Sequence, residues 1–260
     1  MNRRLALFGF VLLLPAPALA QLALDQHPAE AYRLRAEYRW FSTSLEGTAA
    51  KGLLDVPGTT FDVKTDLLME DDTTWEARGT IRLGRKWKLR GGYTTLDYIG
   101  REAVLDSRIR FDDTVFQSGE EVTSTLKGGY YGGDLEWDFL VSGTGYLGVI
   151  AGARAPDVDV VISSPALGKR EQATYRPVCP VLGLAGRVYA SRLSIEGFAS
   201  TFAKVSGRKV TDLEISARLN LSDRLAIGGG YRYLKFTAEE GADFADFNVS
   251  GWTYGIELGL

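Results

Sequence analysis

Tyr32-Arg33-Leu34-Arg35-Ala36-Glu37-Tyr38-Arg39-Trp40 is the stretch whose reading decides the fold. Successive side chains of an extended strand point to opposite faces. One face here carries Tyr32, Leu34, Ala36, Tyr38 and Trp40. The other carries Arg33, Arg35, Glu37 and Arg39. The period is two, with one face oily and the other strongly charged. The same alternation recurs over 75–83, 87–94, 131–139, 147–154, 178–188, 193–199, 212–221, 225–233 and 252–260. Ten strands are therefore expected, with eight or twelve as the alternatives. No stretch reads as a helix of three turns, and no shift of composition marks a second domain.

The connectors sort into two kinds. Short turns fall near Arg85, Gly143, Ser191 and Asp223, at every second junction. The intervening connectors, 46–73, 99–121, 163–171, 205–208 and 237–246, are mostly longer and polar. Short turns at one end and long loops at the other is the pattern of an up-and-down transmembrane β-barrel. The rival is a soluble barrel with its oily face inward around a ligand, as in lipocalins. Tryptophans near strand ends (Trp40, Trp75, Trp87, Trp137 and Trp252) favour the membrane reading, because indole rings gather at the lipid–water interface. Glycines beside Arg and Glu on the charged face suit a crowded lumen. In hydrocarbon every backbone amide and carbonyl must be paired within the protein, so such a sheet must close. The expected fold is an all-β, closed antiparallel barrel.

The first twenty residues read as an export address. Arg3 and Arg4 precede an apolar run from Leu5 to Leu14, prolines follow at 15 and 17, and Ala18-Leu19-Ala20 sets a cleavage site before Gln21. The run is too short to cross a bilayer, which takes about 20 apolar residues. Residues 1–20 are thus assigned as signal peptide and 21–260 as the barrel domain. The ending Thr253-Tyr254-Gly255-Ile256-Glu257-Leu258-Gly259-Leu260 resembles the C-terminal insertion signal of bacterial outer-membrane barrels. Thr253, Gly255, Leu258 and Leu260 carry the match; the family usually ends in Phe or Trp where this chain has Leu260. The resemblance implies a location in the bacterial outer membrane. It also implies contact with the barrel-assembly machinery during insertion, and with outer-membrane lipids and lipopolysaccharide.

Composition narrows the function classes. With 30 Lys+Arg against 33 Asp+Glu the net charge is −3, which gives no electrostatic case for nucleic acid. One cysteine, Cys179, excludes an internal disulfide framework and a multi-cysteine zinc site, and reads as a buried small side chain. One histidine, His27, reads as a solvated residue ahead of the first strand. It leaves little room for the imidazole chemistry on which proton transfer near neutral pH relies. No metal and no cofactor is called for.

The inward face is expected to hold a network of Arg33, Arg35, Glu37, Arg39, Glu76, Arg78, Arg82, Lys88, Arg90, Asp134, Glu136, Asp138, Arg154, Arg187, Glu196, Asp212, Glu214, Arg218, Arg232 and Glu257. Buried charges must find partners, so a narrow lumen laced with Arg–carboxylate pairs is the first reading. It makes the protein a non-enzymatic barrel with long outer loops and a structural or surface-interaction role. The alternatives are a narrow solute channel whose basic wall favours anions, and a lipid-modifying enzyme.

Five local features remain. The runs Asp71-Asp72 and Glu239-Glu240 read as solvated loop tips, with divalent-cation bridges to lipopolysaccharide phosphates as the sharper option. Residues 107–117 read as a hairpin inside the second long loop. The Gly/Tyr run 128–133 reads as aromatic rings packed over glycine. The first long loop, with Leu53-Leu54 and Phe61 to Met69, is amphipathic and expected to pack as a folded loop. Pro177 and Pro180 flank Cys179 within the sixth strand, and call for a bulge or a later strand start.

Overall fold

The computed structural model describes residues 27–52, 58–241 and 243–260. The expected signal peptide and Leu53-Leu54 lie outside the described residues. Ten strands form the wall: β1 Leu34–Ala50, β2 Asp72–Arg82, β3 Trp87–Ile99, β4 Glu121–Ser142, β5 Gly145–Ser164, β6 Cys179–Ala190, β7 Leu193–Thr201, β8 Arg208–Asn220, β9 Leu225–Glu240 and β10 Asp243–Gly259. Each pairs antiparallel with its sequence neighbours. β1 and β10 close the ring over a register running from Arg35 opposite Gly259 to Ala50 opposite Phe244. The short turns lie at one end and the long connectors at the other. Residues 109–116 form a separate hairpin, Ile109–Phe111 with Thr114–Phe116, outside the ring.

The face assignment is that of a barrel in hydrocarbon. Leu135, Ile215 and Ile256 are 42%, 61% and 43% exposed on the outside, whereas Glu136 is fully buried within. Aromatic rings band the exterior at two heights. Near the turns, Trp87 faces Trp137, with Phe139 beside it. Toward the loops, Tyr38, Trp40, Trp75, Tyr93, Tyr131 and Tyr254 form a chain of ring contacts across five strands.

Above that second band the alternation changes phase. On β1, Arg39 points in and Trp40 out, but Phe41 and Leu45 point in while Ser42 faces out. On β4, Leu126 is inside and Lys127 outside; on β5, Val158 is inside with Asp157 and Asp159 turned outward. Leu96, Val210, Leu234 and Val249 repeat the pattern on β3, β8, β9 and β10. The strands thus run beyond the lipid band. There they follow the rule of a water-soluble sheet, with a dry interior and a polar exterior.

Connector boundaries shift accordingly. Residues 46–50 belong to β1, 237–240 to β9 and 243–246 to β10, so the expected loop 237–246 shrinks to a tight hairpin. The expected loop 163–171 is a turn at Pro165–Leu167, followed by a strand Lys169–Tyr175 on the upper part of β5. Between that strand and β6 the ladder stops for three residues. Its register does not slip: Tyr175 opposes Val158 and Cys179 opposes Arg154. Pro177 therefore stands opposite Pro156, and neither has an amide hydrogen to give. The prolines interrupt the strand rather than bulge it.

The N-terminal edge departs from the simple alternation. Tyr32, assigned outward, is buried, and Arg33, assigned to the lumen, is exposed. The amides of Arg33 and Leu34 both donate to the Leu260 carbonyl, at 2.7 and 3.1 Å. Two donors on one acceptor is a bulge, and it reverses the facing of what precedes it.

The phase change predicts opposite outcomes for adjacent residues. Leu234→Lys puts a charge into the dry upper interior and should destabilise the barrel by several kcal/mol, while Lys235→Leu should be nearly neutral. On the lipid band the pattern reverses: Ile215→Lys should cost about 2–4 kcal/mol. Denaturant titration of the barrel in lipid vesicles measures all three.

Candidate functional site

The interior has two storeys. The lower one, level with the lipid band, is ionic. Near the loops, Arg39 bridges Glu76 at 2.6 Å and Glu214 at 2.5 Å, and Arg78 bridges the same two acids at 2.5 and 2.6 Å. Arg232 joins Glu76 and Asp212, both at 2.8 Å, and Arg154 grips Asp134 with two hydrogen bonds. Nearer the turns, one guanidinium holds three acids. Arg218 reaches Glu37 at 2.9 Å, Glu257 at 3.0 Å and Glu196. Arg187 meets Glu257 at 2.9 Å, Arg90 joins Glu136 to Glu196, and Lys88 lies 2.9 Å from both Glu136 and Asp138.

The sequence reading missed Glu30, which completes this set. It lies ahead of β1 in the short turn Pro28–Glu30 and is 3% exposed. Arg35 contacts it at 2.5 Å and Arg82 at 3.0 Å, Lys88 stands at 3.9 Å, and the Tyr189 hydroxyl donates to it. With Glu30 in and Arg33 out, ten cations meet ten carboxylates among the described residues of this storey. Burial raises the Glu30 carboxyl, but Arg35, Lys88, Arg187 and Arg82 together outweigh it and bring it from 4.5 down to about 2.

Tyrosines and glycines complete the packing. The Lys88 ammonium sits 3.1 Å from the Tyr146 ring centre. Arg154 lies across Gly132. Voids in this storey measure only ≈ 40 and ≈ 10 Å³, room for isolated waters rather than a path. The acid oxygens of Glu37, Glu196 and Glu257 lie within 4.8 Å of one another, a spacing suited to a cation. Arg218 already supplies that positive charge.

No family model and no curated protein matches the chain. Solved structures do. The outer membrane protease OmpT of Escherichia coli superposes with a TM-score of 0.62 at 9% identity, over 87% of this chain and 96% of that one. This chain has the fold of a bacterial outer-membrane β-barrel. The translocator domain of the Neisseria meningitidis autotransporter NalP (TM-score 0.44, 14% identity, 91% and 90% coverage) is also similar. So is Ail of Yersinia pestis, at 0.39, 10%, 88% and 99%.

The upper storey of the barrel is apolar. Phe61, Val63, Leu67 and Met69 of the first long loop, with Leu105, Ile109, Phe111 and Phe116 of the second, pack down onto the inward side chains of the wall. Beneath them a cavity of ≈ 110 Å³ remains, walled by residues such as Leu45, Val158, Cys179, Val210, Phe236 and Val249. Tyr130 is the seam between storeys. Its hydroxyl donates to Asp212 at 3.1 Å below, and its ring meets Phe236 edge-on at 5.5 Å above. This chamber was hidden in the sequence, because most of its walls lie beyond the stretches whose alternation marked the strands.

Other sequence expectations fall at the edges. His27 is not a solvated tail residue: its ring stacks on Tyr189 at 3.9 Å and accepts the Ala29 amide at 3.2 Å. Burial lowers its pKa, against the raising effect of Glu30 and Asp223. It sits at the turn end, below the ionic storey and far from the chamber. Asp71 pairs with Lys64 and Glu239 with Lys204 at the loop end. Tyr93 lies over Gly129, Tyr131 joins the outer band and Tyr130 points inward. Thr253 points inward on β10, while Leu258 and Leu260 face out along the closing seam; Gly255 lies against Arg39.

Removing one partner of a buried ion set leaves the others uncompensated. Arg218→Met should lower stability by about 3–5 kcal/mol, read from the temperature at which the detergent-gel mobility changes. The Glu30 set should also be acid-sensitive. A carboxyl held below its unfolded value stabilises the fold above about 4.5, and that contribution is lost as pH falls toward 2. The drop from 4.5 to about 2 is worth on the order of 3 kcal/mol. Glu30→Gln should be less stable at neutral pH and lose less between pH 5 and pH 2 (about that range), measured by denaturant titration at each pH.

Proposed function

We propose that the protein is a closed, non-conducting barrel of the bacterial outer membrane, with a structural or surface-interaction role carried by its loop-end storey. The carrying observation is the neutral ionic storey. A selective pore uses rings of one sign of charge around an open path. Here each guanidinium is held by carboxylates, and the voids are water-sized. The turn end faces the periplasm and the folded loops face outward. Leu258 and Leu260, outward on the seam strand, are placed for recognition by the assembly machinery. The aromatic bands sit at the two lipid interfaces, against lipopolysaccharide on the loop side.

A non-enzymatic role is supported by the position of His27. It lies stacked on Tyr189 at the turn end, while an enzyme acting on outer-leaflet lipid needs its proton-transfer group near the opposite end. At the loop tips Asp71 is engaged by Lys64 and Glu239 by Lys204.

Reconstitution into planar bilayers tests the proposal. Purified barrel should give no steady single-channel steps. Regular steps from the intact protein would overturn the closed reading, and a change in lipid A mass on expression would overturn the non-enzymatic one.

A further inference from the structure

We propose that the loop-end chamber is a binding site for one small, uncharged hydrocarbon molecule, about the size of a single aromatic ring. Its walls are aliphatic and aromatic: Leu45, Val158, Val210 and Val249 on four different strands, with Phe61 and Phe236. A water in such a place finds few of the two to four polar partners it needs. At ≈ 110 Å³ the chamber is comparable to the roughly 150 Å³ apolar cavity that takes up benzene or xenon in another protein. Charged side chains stand only among the edge residues Lys51, Arg208, Lys209 and Asp243, and Lys51 is engaged by Asp243 at 2.5 Å.

The wall beside the chamber says where such a molecule comes from. Tyr175, Pro177 and Pro156 line it: Tyr175 is the last paired residue before the break, and Pro177 and Pro156 face each other within the three residues over which the β5 ladder is missing. Pro156 registers against Tyr130, next to Tyr131 of the outer aromatic band. The weak point in the wall therefore lies at the edge of the lipid band, where hydrocarbon solutes concentrate. Parting the strands there breaks no ladder hydrogen bonds at Pro156 and Pro177. The assignment is independent of whether the lower storey conducts, since the chamber lies above it.

Toluene titrated into the methyl-labelled barrel in detergent, followed by NMR, is the test. Methyl groups of Leu45, Val158, Val210 and Val249 should shift saturably. Those of the lipid-facing Leu135, Ile215 and Ile256 should change only in proportion to toluene dissolved in the micelle. Val210→Trp, or Val249→Phe where the first variant fails to fold, should fill the chamber. Either should abolish the saturable shifts and leave the micelle response in place. Shifts confined to lipid-facing methyls, or saturable shifts that survive in a folded chamber-filled variant, would overturn the assignment.

Discussion

Charges enclosed by a ring of sheet must cancel one another, because little water reaches them. Every other feature of the lower barrel follows from this requirement. The lipid band forces apolar side chains outward. Period two then forces their neighbours inward, and those neighbours are Arg, Lys, Glu and Asp. Among the described residues, ten cations and ten acids meet in an interior with room for a few waters. Arg218 shows the economy of the arrangement: a planar fork of donors serves three carboxylates from three strands and ties β8 to β1, β7 and β10. Such pairs are weak evidence for stability as such. They specify register, since a one-residue slip would send each charge into lipid.

The ten strands and most inward charges were legible because the lipid band imposes one phase of alternation on all strands. Two kinds of feature were not. The upper thirds of β1, β4, β5, β9 and β10 obey the opposite phase, oily inside and polar outside. Scanned for the lipid phase, Leu234-Lys235-Phe236 and Leu126-Lys127 look like loop. Read as a second, inverted alternation, they would have marked the upper storey. The N-terminal edge was hidden for another reason. Alternation from Tyr32 places Arg33 in the lumen, but the bulge against Leu260 turns it out and lets Glu30 fold in. No local signal marks Glu30 as buried; only the surplus of two positive charges on the expected lumen face hinted that acids were missing.

The two storeys divide the work of the fold. The ionic one locks the membrane-level ring, and the apolar one is a second core that holds the long loops in place over the mouth. Tyr130 couples them, with its hydroxyl in one and its ring in the other. The paired prolines at the edge of the lipid band are tolerated because the extended hairpin above them keeps register on both sides of the break. Opposed prolines at this point weaken the wall only where the lower ionic packing ends and the dry chamber begins.

The change of phase at the outer aromatic band is the claim on which the account stands. Nitroxide labels placed one at a time on the barrel in vesicles test it directly through power-saturation EPR. Labels replacing Leu135, Ile215 and Ile256 should be relaxed by oxygen and shielded from a water-soluble nickel chelate. Labels replacing Asp97, Lys127 and Lys235 should show the reverse. Nickel accessibility at Ile215 and Ile256, or oxygen-dominated relaxation at Lys127 and Lys235, would contradict the two-storey description.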